Sequence, residues 1–545
     1  MRFGHLCEQV RTMPLNFHYL YDLKNAQNMS NGRILWVDDE IELLKPHILF
    51  LKDKGYDVET ANNGYDALDM VQAEQFDMVI LDEMMPGITG LETLPKIKDL
   101  RPMVPVIMVT KSEEENIMDK AVGSNIADYL IKPINPNQVL LSIKKNLHSH
   151  QLVTEKSTAD YRSEFGQITM SFNDARTFDD WAAIYRKLVN WDLQLHESDD
   201  KSVTEILSYQ MDEANREFAK FIKNNYVSWF DDKTANRPVM SHTMMRNKIF
   251  PVVDKHQKTT FLLIDNFRYD QWKIVAPIIN NLFSVETEDY YCSIVPTATQ
   301  YARNAIFAGL TPLAIDKIMP NLWLNDNEEG GKNAHEEEFL RRQLQSLGKP
   351  YSLHFEKIIR PEQGRKLIDN IQKVYQADFS VIVYNFLDIL SHARTETEII
   401  RELADDDAAF RSLTRSWFEH SDLYELLRLL AERKHTVIIS TDHGTIRVEN
   451  PVKIQGDRET STNLRYKTGR SLNYNAKDVF EVTKPEQIHL PKSNITSTYV
   501  FAYNRDFLVY PNNYNYYVRY YKSTFQHGGI SMEEMIVPFI VLNPK

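Results

Sequence analysis

A chain of 545 residues, 43% of them hydrophobic, exceeds what one core accommodates and points to about three domains. Its formal net charge of -13 argues against capture of duplex DNA, which needs clustered Lys and Arg to displace counterions. The two cysteines, Cys7 and Cys292, are too few for a disulfide framework or a cysteine-based metal site. No apolar run approaches the roughly 20 residues that span a bilayer, and no signal-peptide pattern occurs, so the expectation is a cytoplasmic protein without membrane insertion.

Residues 1–29 show no clear hydrophobic period and read as a flexible extension or a mis-assigned start, with Met29 as the candidate initiator. An ordered helix over Leu15–Leu23 is the alternative. From residue 30 to about 150, short apolar runs alternate with amphipathic stretches, as in a doubly wound α/β domain. The predicted strands are Ile34–Val37, Asp57–Thr60, Met78–Leu81, Val104–Val109 and Asp128–Ile131. Their C-terminal ends deliver Asp38 and Asp39, Asp82, and Thr110, with Lys132-Pro133 after the fifth, and that edge of a parallel sheet is where ligands bind. Carboxylates gathered there suit Mg²⁺, a hard cation that prefers oxygen ligands. The metal would neutralise a phosphoryl group arriving on Asp82. Lys132 would pair with its oxygens, the Thr110 hydroxyl would shift towards it, and Tyr129 would swing inward.

Residues 151–240 have almost no β signal. Amphipathic spacing predicts helices over Phe178–Leu195 and Val203–Trp229, with a shorter one at Asp160–Phe172, together a three-helix bundle.

Residues 241–545 return to buried strands that end in acids and histidines. Thr259–Ile264 runs into Asp265, Phe379–Tyr384 leads to Asp388 and His392, Thr436–Ser440 leads to Asp442-His443-Gly444, and His527-Gly528-Gly529 stands near the end. Three Asp and three His suit zinc, and six groups argue for two ions, an arrangement fitted to in-line displacement at phosphorus. The nucleophile candidates lie in Pro296-Thr297-Ala298-Thr299, ahead of a helical stretch whose N-terminus favours an anion. Asn304, Arg268 and Arg303 are candidates for holding non-bridging oxygens. Diesters such as short oligonucleotides or cyclic dinucleotides are the expected substrates, since no Arg cluster marks a site for a monoester dianion. The run Tyr510–Tyr521 reads as strand packing, with base stacking as the alternative.

Two resemblances organise these motifs. The ordered set Asp38-Asp39, Asp82, Pro86-Gly87, Thr110, Tyr129 and Lys132-Pro133 resembles the response-regulator receiver family over some 120 residues. That likeness implies a phosphoacceptor Asp82, a Mg²⁺ site of Asp38, Asp39, Asp82 and the Met84 carbonyl, and switch residues Thr110, Tyr129 and Lys132. Leu263-Ile264-Asp265, Pro296-Thr297-Ala298-Thr299, Gly309-Leu310-Thr311-Pro312, Asp388…His392, Asp442-His443-Gly444 and His527-Gly528-Gly529 resemble the PglZ branch of the alkaline-phosphatase superfamily. This second likeness implies one zinc on Asp388, His392 and His527. The other would sit on Asp265, Asp442, His443 and the oxygen of Thr299, the preferred nucleophile, with Thr297 held open.

The full order is a 1–29 extension, a 30–150 receiver, a 151–240 bundle and a 241–545 PglZ domain. It is similar to the response regulators associated with the type IX secretion system. That similarity implies a sensor histidine kinase partner, an alternative sigma factor and a phosphorylation-dependent homodimer. The expected activity is a zinc phosphodiesterase or phosphatase. The rival is a non-catalytic, zinc-stabilised scaffold that docks a sigma factor or secretion component. A DNA-binding regulator fits poorly, because no helix-turn-helix follows the receiver.

Overall fold

The computed structural model describes residues 31–101, 104–111, 126–147, 149–195, 201–231, 233–326, 328–396, 406–456, 460–492, 494 and 496–545. The extension 1–29, with its candidate start at Met29, lies outside the described residues. The chain divides into two compact units, Met1–Lys156 and Ser157–Lys545.

In the first unit, β1 (Arg33–Val37), α1 (Lys45–Asp53), β2 (Asp57–Ala61), α2 (Gly64–Ala73), β3 (Met78–Asp82), α3 (Gly90–Leu100), β4 (Val106–Thr110), β5 (Asp128–Ile131) and α4 (Pro136–Leu147) follow in order. The strands form a parallel sheet, β2-β1-β3-β4-β5. β3 and β4 are buried along their whole length, which is why their sequences are continuous apolar runs rather than alternating ones. Pro105 cannot donate to a ladder, and the fourth strand begins after it rather than at Val104. Because all five strands are parallel, Asp38, Asp82 and Thr110 emerge at one edge.

The helix α5 (Ser149–Asp174), which starts within the first unit, and α6 (Phe178–Leu195) and α7 (Lys201–Asn225) of the second supply the three expected helices. The first is longer than predicted, and the third gives way to a 3₁₀ turn at Tyr226–Phe230. From residue 157 on they are not a compact unit of their own, because their core is continuous with that of the C-terminal domain. Phe178 lies against Tyr290 and Tyr185 against Tyr269. Asn215 bridges to the backbone of Met532 and the carboxylate of Glu533.

The remaining elements used below are β6 (Thr259–Ile264), α8 (Tyr269–Ile279), β7 (Phe283–Cys292), α9 (Thr299–Ala308), α10 (Glu336–Ser346), β8 (Leu353–Ile358), β9 (Phe379–Tyr384), α11 (Phe386–Glu396), α12 (Asp407–Glu419), β10 (Thr436–Ser440), β11 (Tyr466–Gly469), β12 (Val479–Val482), β13 (Thr498–Ala502), α13 (Tyr514–Tyr521) and β14 (Ile536–Pro544). A six-stranded sheet runs β7-β14-β10-β6-β9-β8, and a three-stranded sheet runs β11-β13-β12. The neighbours β10, β6, β9 and β8 are parallel, so Asp265, Asn385 and Asp442 leave the sheet on one edge. The Tyr-rich run packs on strands, as read, and does so as a helix. Tyr514–Tyr521 is a helix, in which Tyr514, Val518 and Tyr521 fall at helical spacing and meet Ile446, Val448, Phe507 and Val509.

His435, at the start of β10, is buried beside Tyr375 and Thr260. Burial, helped by Lys258, lowers it to about 4. A group depressed in the folded state binds fewer protons than its unfolded counterpart between that value and the ordinary 6.5. Stability is therefore expected to fall as pH drops from about 6.5 to about 4, and His435→Gln to flatten that slope in pH-dependent thermal melts.

Candidate functional site

The first cluster sits at the edge of the N-terminal sheet. Acidic oxygens of Asp38, Asp39 and Asp82 lie within 4.8 Å of one another. Asp38 and Asp82 are buried, whereas Asp39 is exposed. Lys132 Nζ reaches both buried acids, at 2.7 Å from Asp38 and 2.8 Å from Asp82. Burial pushes the Asp82 carboxyl up and repulsion from Asp38 and Asp39 adds to this, while Lys132 opposes it. Three carboxylates facing one ammonium leave negative charge uncompensated, which fits a divalent cation taking oxygen ligands. Thr110 is buried at the end of β4, and Tyr129 is half-buried on the adjacent β5. Met84 follows Asp82 by two residues with its side chain exposed.

These positions make Asp82 the group to test. Asp82→Asn is expected to abolish stable phosphoryl uptake in a radiolabel assay while leaving the fold intact, because the substitution keeps shape and replaces the carboxylate oxygen that would take the phosphoryl group.

The second cluster lies at the edge of the C-terminal sheet. Ligand atoms of Asp265, Asp442 and His443 lie within 4.8 Å of one another, and all three residues are buried. His443 Nε2 is 3.8 Å from both Asp265 Oδ1 and Asp442 Oδ2. Asp265 Oδ1 is buried with no hydrogen-bond partner among the described residues, the condition of an oxygen reserved for a metal. The rings of His443 and His527 stack at 4.2 Å, and His527 Nε2 stands 3.7 Å from Asp388 Oδ1. The helix α11 carries His392 one turn after Asp388, but the side chain of His392 lies outside the described residues.

Both imidazoles are anchored through their other nitrogen, His443 Nδ1 to the Gly444 carbonyl and His527 Nδ1 to the Thr297 carbonyl, each at 3.1 Å. A proton held at Nδ1 leaves the Nε2 lone pair directed at the acids, as metal-ligating histidines require. Burial and the adjacent His443 lower His527 to about 4, so its ring is neutral. Burial pushes Asp265 well above the usual carboxylate range, with Asp442 and Asp388 adding repulsion and Arg303 opposing. Burial acts on Asp442 too, but Arg303 and His443 outweigh it and hold that carboxyl at about 2.

The two threonines separate cleanly. Thr299 opens α9, its Oγ1 lying 3.1 Å from His443 Nε2, and its side chain is partly accessible. Thr297 is fully buried; its hydroxyl donates to the Gly529 carbonyl and accepts from the Gly528 amide, each at 3.0 Å. Thr297 thus fastens the loop that carries His527, and Thr299 faces the cluster.

The expected oxygen-holding residues have other partners. Arg268 pairs with Asp270 and Asp407 and lies over the rings of Phe410 and Phe525. Arg303 is fully buried and donates to Asp442 from Nε at 2.9 Å, pairs with Asp265, and stands 3.5 Å from Glu336 of α10. Asn304 donates to the Lys332 carbonyl at 2.9 Å.

Sequence reasoning missed two supports. Asn385, at the end of β9, donates to Asp265 Oδ2 at 2.9 Å. Buried Glu534 receives the Gly529 amide at 2.8 Å and is itself paired with buried Arg465 at 2.6 Å, which fixes the His527 loop from below. Two glycines are obligatory here. A Cβ on Gly444 would stand 1.9 Å from the Glu533 carbonyl, and Gly528 has φ +119°.

A parallel receiver sheet with an acidic edge, followed by a second sheet with an Asp/His edge and a helix-initiating threonine, defines a response regulator whose C-terminal domain is alkaline-phosphatase-like. The model of the BREX system PglZ alkaline phosphatase-like domain matches residues 244–542, more than half the chain; that of the PorX response regulator linker domain matches 151–230, and that of the response regulator receiver domain matches 34–144. The chain belongs to the PglZ family, in a PorX-like form that carries a receiver and a PorX linker ahead of the PglZ domain.

Among curated proteins, the chain is 32% identical over 142 residues to the alkaline phosphatase synthesis transcriptional regulatory protein PhoP of Bacillus subtilis, covering 26% of this chain and 58% of that one. It is 35% identical over 130 residues to the alginate biosynthesis transcriptional regulatory protein AlgB of Pseudomonas putida, covering 24% and 29%. The chain thus spans less than two thirds of the length of these relatives. Among solved structures, the CheY-like receiver domain protein of Methanospirillum hungatei is 32% identical, with a TM-score of 0.21, covering 22% of this chain and 94% of that one. The chemotaxis protein CheY4 of Vibrio cholerae is 30% identical, with a TM-score of 0.21, covering 21% and 98%. The receiver implies a kinase that phosphorylates it, and no helix among the described residues is long and apolar enough to cross a membrane.

Proposed function

We propose that the chain is a response regulator phosphorylated on Asp82 whose output is a zinc-dependent phosphodiesterase or phosphatase acting on nucleotide diesters. The observation that carries this reading is the Thr299 hydroxyl, placed at a helix N-terminus and 3.1 Å from His443 within reach of the Asp/His cluster. Asp265, Asp442, His443 and Thr299 would hold one zinc, and Asp388, His392 and His527 the other. Two such ions would draw charge from the phosphoryl oxygens and ease deprotonation of the Thr299 hydroxyl.

The chain's own residues do the rest. The Thr299 oxygen attacks phosphorus in line as the bond to the leaving alkoxide breaks, and water then hydrolyses the phosphothreonine. The backbone amides at the start of α9 face the anion formed there. Asn385 keeps Asp265 oriented, while Glu534 and Arg465 hold the loop of His527.

In the receiver, Lys132, Thr110 and Tyr129 respond to phosphate on Asp82, with Mg²⁺ on Asp38, Asp39, Asp82 and the Met84 carbonyl. For a chain with a PorX response regulator linker domain, the same reading includes a role in type IX secretion, a sensor histidine kinase upstream, an alternative sigma factor as partner and a homodimer formed on phosphorylation. The test is zinc-loaded protein on a diester panel, with and without beryllofluoride. Hydrolysis of nucleotide diesters supports the reading, and no turnover on any diester in either state sinks it.

One observation favours the second reading. Arg303 pairs with both Asp265 and Asp442, which gives the centre a charge partner of its own, as a site that only holds the fold together would have. On that reading zinc only stabilises a regulatory scaffold: no diester is turned over, and chelation weakens partner binding.

A further inference from the structure

A cavity of about 270 Å³ lies where the linker helices α6 and α7 meet the C-terminal domain, and none of its walls belongs to either acidic cluster. Tyr185 of α6 and Leu207 of α7 stand on one side of it, and Arg268, Asp270, Arg411 and Arg505 on the other. Its volume falls just short of the roughly 300 Å³ at which ordinary ligand pockets begin, so its occupant is small.

The walls are short of hydrogen-bond acceptors. Tyr185 is 1% exposed, and its hydroxyl has no hydrogen-bond partner among the described residues. Arg411 is 5% exposed and donates through Nη1 alone, at 2.5 Å to Asp192 and 3.3 Å to Asp270. Its Nε and Nη2 therefore have no partner among the described residues, and these are the two nitrogens whose N–H groups point side by side at a carboxylate or phosphate. Arg505 has Asp212 2.8 Å from its Nε and no other carboxylate partner among the described residues.

The acids of the walls are already engaged. Asp270 receives Arg268 through both oxygens, Asp407 receives it at 2.7 Å, and Glu533 receives Asn215 through both of its oxygens. Buried donors left unmatched cost free energy, which a guest rich in acceptors recovers. Val189, Leu207, Met211 and Ile446 leave part of the wall apolar, so the guest also has a carbon body.

The same walls reach the Asp/His cluster. Arg268 lies over the ring of Phe525, in the short strand directly before His527, and Ile446 follows His443-Gly444 closely. Glu533 is the chain neighbour of Glu534, which holds the His527 loop. We infer that the cavity is an effector site for a small organic oxyanion: Arg411 and Tyr185 grip the head group, the body lies on the apolar wall, and occupancy ties the linker helices to the loops of His443 and His527. The binding site stands without the diesterase reading, and its effect on rate rests on that reading.

The probes are phenylphosphonate and benzoate, which present the two kinds of oxyanion head group on the same ring. Isothermal titration calorimetry on full-length zinc-loaded protein is expected to show saturable binding of at least one, and the tighter one identifies the head group. Tyr185→Phe removes only a hydroxyl and should weaken binding about tenfold, the worth of one hydrogen bond to a charged group. Ser208 is exposed and lines the cavity, so Ser208→Trp should block it while sparing the linker core. Saturating probe should change turnover of bis(p-nitrophenyl) phosphate about fivefold in the wild type and leave Ser208→Trp unaffected. No saturable binding of either probe, or unchanged affinity in both variants, overturns the inference. The same rate response in the wild type and Ser208→Trp overturns the effector role. Binding that both variants lose, in a protein that turns over no diester, keeps the site and removes the diesterase reading. Diester turnover with neither probe bound does the reverse.

Discussion

Thr299→Ala protein is expected to hydrolyse bis(p-nitrophenyl) phosphate roughly a thousandfold more slowly than the wild type, or worse, with zinc content little changed. The size follows from the role. A nucleophile cannot be replaced by a methyl group, and what survives is the rate that binding and electrostatics alone sustain. Zinc content persists because Asp265, Asp442 and His443 supply three of the four atoms assigned to that ion. Thr297→Ala gives the opposite signature. Its hydroxyl ties Gly528 and Gly529, so its loss loosens His527, and metal content falls together with rate. Initial rates and metal analysis on the two variants separate the threonines. Unchanged turnover in Thr299→Ala would refute the nucleophile assignment.

Arg303→Met is expected to be the most destabilising single change at this centre. The guanidinium is fully buried against Asp265 and Asp442, with Glu336 at 3.5 Å, and removing it leaves those acids facing one another in a dry interior. Breaking a buried ion pair by deleting one partner costs about 3–5 kcal/mol. Added zinc supplies positive charge to the same carboxylates, so the loss should be largest in chelated protein and partly recovered on zinc addition. Thermal melts with chelator and with zinc measure both states. Equal melting-temperature losses in the two would mean that Arg303 and the metal act on separate carboxylates.

The two readings of the centre part at Thr299. A zinc-stabilised scaffold and an enzyme both need Asp265 Oδ1 and the two Nε2 atoms directed at a cation, which the anchored Nδ1 atoms of His443 and His527 provide. Only an enzyme needs a nucleophile, and the partly accessible Thr299 hydroxyl 3.1 Å from His443 Nε2 favours that reading.

The sequence by itself determined the strands and the residues at their ends. A strand buried on both faces must be a continuous apolar run, and in a parallel sheet its C-terminal residue is the one presented to ligands. Asp82, Asp265 and Asp442 could therefore be read from local pattern alone. The Tyr-rich run packs on strand residues as read, Ile446 and Phe507 among them, but its helical form was not legible, because tyrosine favours strands.

What the tertiary structure alone decided are the pairings between residues far apart in the chain. Arg303 meets Asp442 across 139 positions, Asn385 meets Asp265 across 120, and Thr297 meets Gly529 across 232. Helical periodicity places Arg303 on a helix but cannot say whether its charge meets a substrate or a buried carboxylate. That depends on which strand ends arrive at the same edge, and sheet order is set by the packing of the whole domain rather than by any local run of residues.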